Sequence, residues 1–140
     1  MIRVRDAKRS EDFYHDVLGL EVRNRTRGGN MVFLSSNPEI DHEIALAELG
    51  PNAVGPFPDQ VGLYHMAWEL ADMDELKDAY QVVLDYKVDI VGFGDHGETK
   101  GLYIRDPDGI EIELFTNAPE FEKTPLKENL TGGSRQGAIA

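Results

Sequence analysis

Apolar and polar positions change their period along this chain, and each change marks an element. Ile2 and Val4 alternate as a short strand does, and Phe13, Tyr14, Val17 and Leu18 then recur at helical spacing. Asp6 stands where a helix N-cap belongs, and Gly19 where a glycine ends the last turn. Strand-like runs follow at 20–25, 30–35 and 42–48, punctuated by Gly28-Gly29 and Asn37-Pro38. The order then recurs. A strand is predicted over 64–70, a helix on Leu76, Ala79, Tyr80, Val83 and Leu84, and strands over 89–93, 101–104 and 110–115. Asp106-Pro107-Asp108-Gly109 supplies the turn between the last two.

The recurrence is also one of identity. At an offset of 66, Asp6 meets Asp72, Asp12 meets Asp78, Tyr14 meets Tyr80, Val17 meets Val83, Leu18 meets Leu84 and Val22 meets Val88. Two copies of one βαβββ unit account for this, an α+β pattern. Module one is predicted over 1–49, a Pro-rich linker over 50–60, module two over 61–116 and a polar tail over 117–140. That tail, which carries Gly132-Gly133-Ser134, is expected to fray or pack loosely. The aromatic and leucine stripes of both helices are expected in the core.

Composition removes several classes of function. With no cysteine, disulfides, thiolate catalysis and Cys-type zinc sites are excluded, and a cytoplasmic location is the default expectation. No apolar run approaches the length of a membrane span, so no membrane partner is expected. A net charge of −12 disfavours nucleic acid.

Candidate chemistry rests on few residues. His15 lies mid-helix and reads as surface. His65 sits among apolar neighbours in the opening strand of the second module, where a core histidine and a metal ligand are both open readings. Period-2 alternation in Ile110-Glu111-Ile112-Glu113-Leu114 sets Glu111 and Glu113 on one face and the aliphatic residues on the other. A carboxylate turned inward needs a partner, and a metal shared with a histidine is one. A solvated outer face is the other reading.

Residues 5–22, RDAKRSEDFYHDVLGLEV, resemble the opening of vicinal-oxygen-chelate proteins, the glyoxalase/bleomycin-resistance/extradiol-dioxygenase superfamily. Tyr64-His65-Met66-Ala67 and the run from Tyr103 through the DPDG turn to Glu113-Leu114 resemble that family's second module. The resemblance covers 1–116 as one domain and implies paired modules forming a cupped mixed sheet around a divalent metal. It implies a ligand His on the first strand of each module and a ligand Glu on the last strand of the second. His65 and Glu113 match two of the three.

The internal offset puts the remaining histidine at position −1, before Met1. Either the natural chain continues upstream through it, or the member lacks a full site. Aligning 43–46 with 111–114 sets Ala45 opposite Glu113, which argues against a four-ligand glyoxalase-type lyase or isomerase. The set left is two histidines and one carboxylate, suited to Fe(II) or Mn(II) with open positions.

The closest motifs are those of single-domain extradiol catechol dioxygenases. In those, His42 matches an acid/base position, and His96 and Tyr103 match positions that orient substrate or oxygen. The resemblance thus implies a ring-cleaving enzyme taking a catechol-type aromatic substrate and dioxygen, with a homodimer as the usual state. A lyase or isomerase, and a metal-free aromatic-binding resistance protein, are the alternatives on this fold. Strict alternation from Ala45 would turn His42 the wrong way, so a bulge is expected before the strand it precedes.

Overall fold

The computed structural model describes residues 1–126 and Leu130. Its elements run β1 (Ile2–Val4), α1 (Ala7–Asp16), β2 (Glu21–Thr26), β3 (Met31–Ser35), β4 (Ile44–Glu48), β5 (Met66–Glu69), α2 (Met73–Asp85), β6 (Ile90–His96), β7 (Thr99–Arg105) and β8 (Glu111–Asn117). This is βαβββ twice. Each module makes a four-stranded mixed sheet, ordered β1-β4-β3-β2 and β5-β8-β7-β6. In each, the first strand pairs in parallel with the last, and the other pairs are antiparallel. The fold is α+β. The Gly132-Gly133-Ser134 expectation lies outside the described residues.

The described residues form two compact units, Met1–Phe57 with Pro107–Gly109, and Pro58–Asp106 with those from Ile110 on. In the first unit α1 packs on β3 and β4. Tyr14 and Val17 are buried there with Val32, Leu34, Ile44 and Leu46. Each such side chain taken from water contributes about 1.5–3 kcal/mol. Asp108 explains why its turn belongs to this unit. Its carboxylate, 4% exposed, accepts from the Arg5 backbone N–H at 3.1 Å and from the guanidiniums of Arg5 at 2.9 Å and Arg9 at 3.1 Å.

In the second unit α2 packs on β7 and β8, and Met73, Leu76, Val83, Leu102, Ile104, Ile112 and Leu114 are buried. Leu84, expected in the core, is 44% exposed, because the stripe on α2 is narrower than its spacing suggested.

The repeat survives in detail and is corrected at one point. Asp6 and Asp72 both cap their helices, each accepting from the backbone N–H three residues on at 2.9 Å. Such caps each contribute about 1 kcal/mol. The helices differ in length, 10 residues against 13. The turns that end them, at Gly19 and Lys87 (φ 72 and 54), and the bulges at Val22/Asn24 and Ile90/Gly92 are offset by 68. Val22 therefore corresponds to Ile90, and its match to Val88 is a coincidence of sequence.

Residues 117–126 are not a loose tail. Leu126 is 2% exposed, its N–H donates to Asp95 Oδ2 at 3.0 Å, and the Lys100 ammonium donates to the Thr124 carbonyl at 3.1 Å. A buried lysine on β7 needs acceptors, and this segment brings one of them. Among the described residues no helix is long and apolar enough to cross a membrane.

Candidate metal centre

The centre of interest lies on one face of the second unit's sheet. Along β8, Ile112, Leu114 and Thr116 are buried while Glu111, Glu113 and Phe115 are partly exposed, so the alternation expected from sequence holds. The DPDG turn fixes the phase of this strand. Ile110 N–H donates to Asp106 Oδ1 at 2.9 Å, Asp106 N–H to the Ile110 carbonyl at 2.9 Å, and Gly109 takes the left-handed φ of 87.

Glu113 is registered with Ala67 on β5 on one side and with Tyr103 on β7 on the other. His65 lies one residue before β5, two before Ala67, and so shares the Glu113 face. The strand predicted over 64–70 is shorter than expected, and His65 stands at its mouth.

Three side chains converge there. His65 Nε2 lies 3.2 Å from Glu113 Oε2, and the Tyr103 hydroxyl donates to Glu113 Oε1 at 3.1 Å. The His65 ring meets Tyr103 edge-on at 5.6 Å and Tyr64 edge-on at 5.3 Å. The Glu113 side chain is 14% exposed and that of His65 29%, so the carboxylate is neither on a solvated outer face nor sealed from a ligand. Burial, then the hydrogen bond to Glu113, pushes the Tyr103 hydroxyl above the usual tyrosine range. It stays a donor at neutral pH. His65 Nδ1 is buried without a hydrogen-bond partner among the described residues.

A cleft of about 510 Å³ opens over these residues, lined by Tyr64, His65, Val91, Phe93, Tyr103 and Glu111, with Gly92 as floor. The volume and the aromatic lining suit a small flat molecule.

The donors fit a divalent cation as far as they go. Two donors at adjacent corners about 2.1 Å from one metal stand about 3 Å apart, and the His65–Glu113 gap of 3.2 Å is close to that edge. Imidazole and carboxylate together are the donor chemistry of Fe, Mn and Zn sites. Among the described residues no group of three or more His, Cys, Asp or Glu side chains converges.

The other expected residues fall elsewhere. His96 ends β6, opposite Thr99, and is exposed. It shares the cleft's face of the sheet but lies four residues beyond Gly92, the partner of Tyr103, or about 13 Å along the strand. It is not among the cleft's lining residues. His15 is a surface residue, beside Asp16 and Glu21.

His42 belongs to the first unit. Its ring meets Phe33 edge-on at 5.1 Å, and Nδ1 is 2.7 Å from Asp41. Phe33 is registered with Ala45, as Tyr103 is with Glu113. The strand begins only at Ile44 rather than at 42, and that irregular lead-in lets His42 turn to the Ala45 side. The register also settles the alignment of Ala45 with Glu113, since Ile2 pairs with Leu46 as Trp68 pairs with Leu114. Tyr64, Val91, Phe93 and three glycines around the site were not anticipated. Glycine in strand interiors was the available signal.

Residues 1–114 match the Glyoxalase/Bleomycin resistance protein/Dioxygenase superfamily. The chain belongs to that superfamily. It is 33% identical over 119 residues to a catechol-2,3-dioxygenase of Bacillus subtilis (strain 168), covering 84% of this chain and 40% of that protein. It is 36% identical over 105 residues to a biphenyl-2,3-diol 1,2-dioxygenase 3 of Rhodococcus globerulus, covering 73% of this chain and 53% of that protein. The chain thus spans about half the length of these curated relatives. Among solved structures, a lactoylglutathione lyase from Agrobacterium tumefaciens superposes with a TM-score of 0.62 at 22% identity, covering 82% of this chain and 88% of that one. That likeness shows the superfamily's fold.

Proposed function

We propose that this chain carries the metal-binding module of an extradiol-type dioxygenase, which opens a catechol-type ring beside its hydroxyls and adds both atoms of O2. The observation that carries this reading is the convergence of His65 Nε2, the Glu113 carboxylate and the Tyr103 hydroxyl beside a cleft that His65 and Tyr103 line. The two diol dioxygenases among its relatives support the same chemistry.

His65 and Glu113 would hold Fe(II) or Mn(II), with Glu113 kept in place by Tyr103. When bound, such a cation brings a vicinal diolate and dioxygen together at its open positions. The chain's own residues do the rest. Tyr64, Val91 and Phe93 would give the ring apolar surface at the margin of the cleft. Tyr103, donating to Glu113 Oε1, leaves Oε2 turned toward His65.

The chain loaded with Fe(II) without air, then given air and biphenyl-2,3-diol or catechol, should consume one O2 per ring and turn yellow. His65→Ala and Glu113→Ala should each abolish both signals. Turnover without oxygen uptake would instead point to lyase or isomerase chemistry. Ring binding that is indifferent to a chelator would point to sequestration of an aromatic compound. Either result would overturn the proposal.

A further inference from the structure

Three glycines lie in the strand interiors beneath the site, Gly92 and Gly94 on β6 and Gly101 on β7, with Gly94 and Gly101 registered opposite each other. Glycine weakens a strand, because it brings no side chain to pack and loses the most backbone freedom on folding. Gly97, at the tip of the same hairpin, is explained by its left-handed φ of 80. Neither Gly94 nor Gly101 has a positive φ, so any residue could adopt the backbone there. The reason must be space.

The space is specific. A Cβ on Gly101 would stand 2.8 Å from Glu113 Oε1 and 3.4 Å from its Cγ. A Cβ on Gly94 would stand 2.7 Å from Tyr103 Cε2 and 3.2 Å from its hydroxyl oxygen. Both distances are closer than van der Waals contact allows. The two volumes a methyl group would claim are those the carboxylate and the phenol ring occupy. The three atoms nearest each added methyl all belong to a side chain, Glu113 or Tyr103, and none to the backbone. The sheet would survive the substitution, and the site's geometry would absorb it.

We propose that Gly101 and Gly94 are positioning residues of the metal centre. Gly101 forms the recess that seats the Glu113 carboxylate between Tyr103 and His65, and Gly94 the recess that seats Tyr103. The assignment rests on the reading of His65 and Glu113 as metal donors and extends the site by two residues that bear no donor. It also gives the hydrogen bond from Tyr103 to Glu113 a cause. Both side chains fold back onto bare backbone, and that brings their tips together.

The test is Mn(II) titration of the full chain by calorimetry, with a thermal melt and a metal-free crystal structure for each variant. Gly101→Ala and Gly94→Ala should bind Mn(II) about 10–100-fold more weakly while melting within a few degrees of the parent. Gly62→Ala, where an added Cβ meets nothing within 4 Å, should match the parent in both. In the crystals, the contact of 3.1 Å between Tyr103 and Glu113 should be broken in each variant, and the 3.2 Å approach to His65 lost in Gly101→Ala.

Parental affinity in a folded Gly101→Ala, or a carboxylate that keeps its place, would overturn the assignment. So would loss of the fold in both glycine variants, which would make these residues structural. Should the parent bind Mn(II) no better than His65→Ala, the metal reading fails, whereas a displaced carboxylate in the variant crystals would still support the recess.

Discussion

At the scale of single residues, the site is organised around one carboxylate with two differently occupied oxygens. Tyr103 donates to Oε1 and His65 approaches Oε2, so removing the phenol frees the carboxylate to rotate without removing a donor to metal. Tyr103→Phe should therefore weaken Mn(II) binding by about tenfold, the lower end of the range for groups that orient a ligand. It should lower turnover at least as much, because a carboxylate free to rotate also misplaces whatever it holds. Calorimetry and oxygen uptake on the same preparation separate the two effects. Glu111, on the same face and lining the cleft, adds a second negative charge beside the substrate's position. Glu111→Gln should raise kcat/KM for a carboxylate-bearing catechol relative to an uncharged one, and equal change for both substrates would count against that role.

At the scale of elements, two ion pairs, each with one buried partner, tie helix and segment to sheet. Arg25 on β2 makes a two-pronged contact with Glu11 on α1, at 2.7 and 2.9 Å. The guanidinium's hydrogen bond holds the Glu11 carboxyl below the usual glutamate range, against the opposing effect of burial. A carboxyl whose folded pKa is depressed adds stability above its unfolded pKa of about 4.3, and that stability is lost as pH falls through the folded value. Glu11→Gln should thus reduce the melting temperature at pH 7 and flatten its fall in acid. A parallel acid limb in the variant would dismiss the pair as a source.

Lys100 on β7, with its side chain fully buried, donates to Asp95 Oδ1 at 2.6 Å and to the Thr124 carbonyl. Lys100's hydrogen bond, then that of the Leu126 N–H, holds the Asp95 carboxyl below its usual range. The two partners are unequal. Asp95→Ala strands a buried ammonium on a single carbonyl, whereas Lys100→Met leaves a carboxylate that water can reach. Denaturant melts should rank Asp95→Ala as the less stable variant.

At the scale of the whole molecule, duplication has been followed by divergence of chemistry on a retained frame. Both modules keep the capped helix, the parallel pairing of first and last strands, and the bulge after the helix. Yet Ala45 and Phe33 hold the places that Glu113 and Tyr103 hold in the second module. A chain with a net charge of −12 also creates a field that repels approaching anions. Raising ionic strength should increase kcat/KM for an acid-bearing diol and leave a neutral diol nearly unchanged, because salt screens only the former's repulsion. The salt dependence of initial rates with the two substrates checks this.

Periodicity and turn chemistry are local properties, so the order of elements, the duplication, the Asp6 cap and the facing of Glu111 and Glu113 were legible in the amino-acid sequence. The superfamily was legible too, from the His65 segment and the DPDG-to-Glu113 run. Boundaries were less so: β6 and β7 run on through His96 and Thr99, because pairing across a short turn outweighs the weak strand character of those residues. Only tertiary structure decided that His65 and Glu113 approach within 3.2 Å, that His96 stands away from their cleft, and that 117–126 packs over a buried lysine. Those outcomes depend on register and packing between strands distant in sequence, which no local pattern encodes. The recesses at Gly94 and Gly101 belong with them. A missing side chain carries meaning only once the neighbour that fills its place is known.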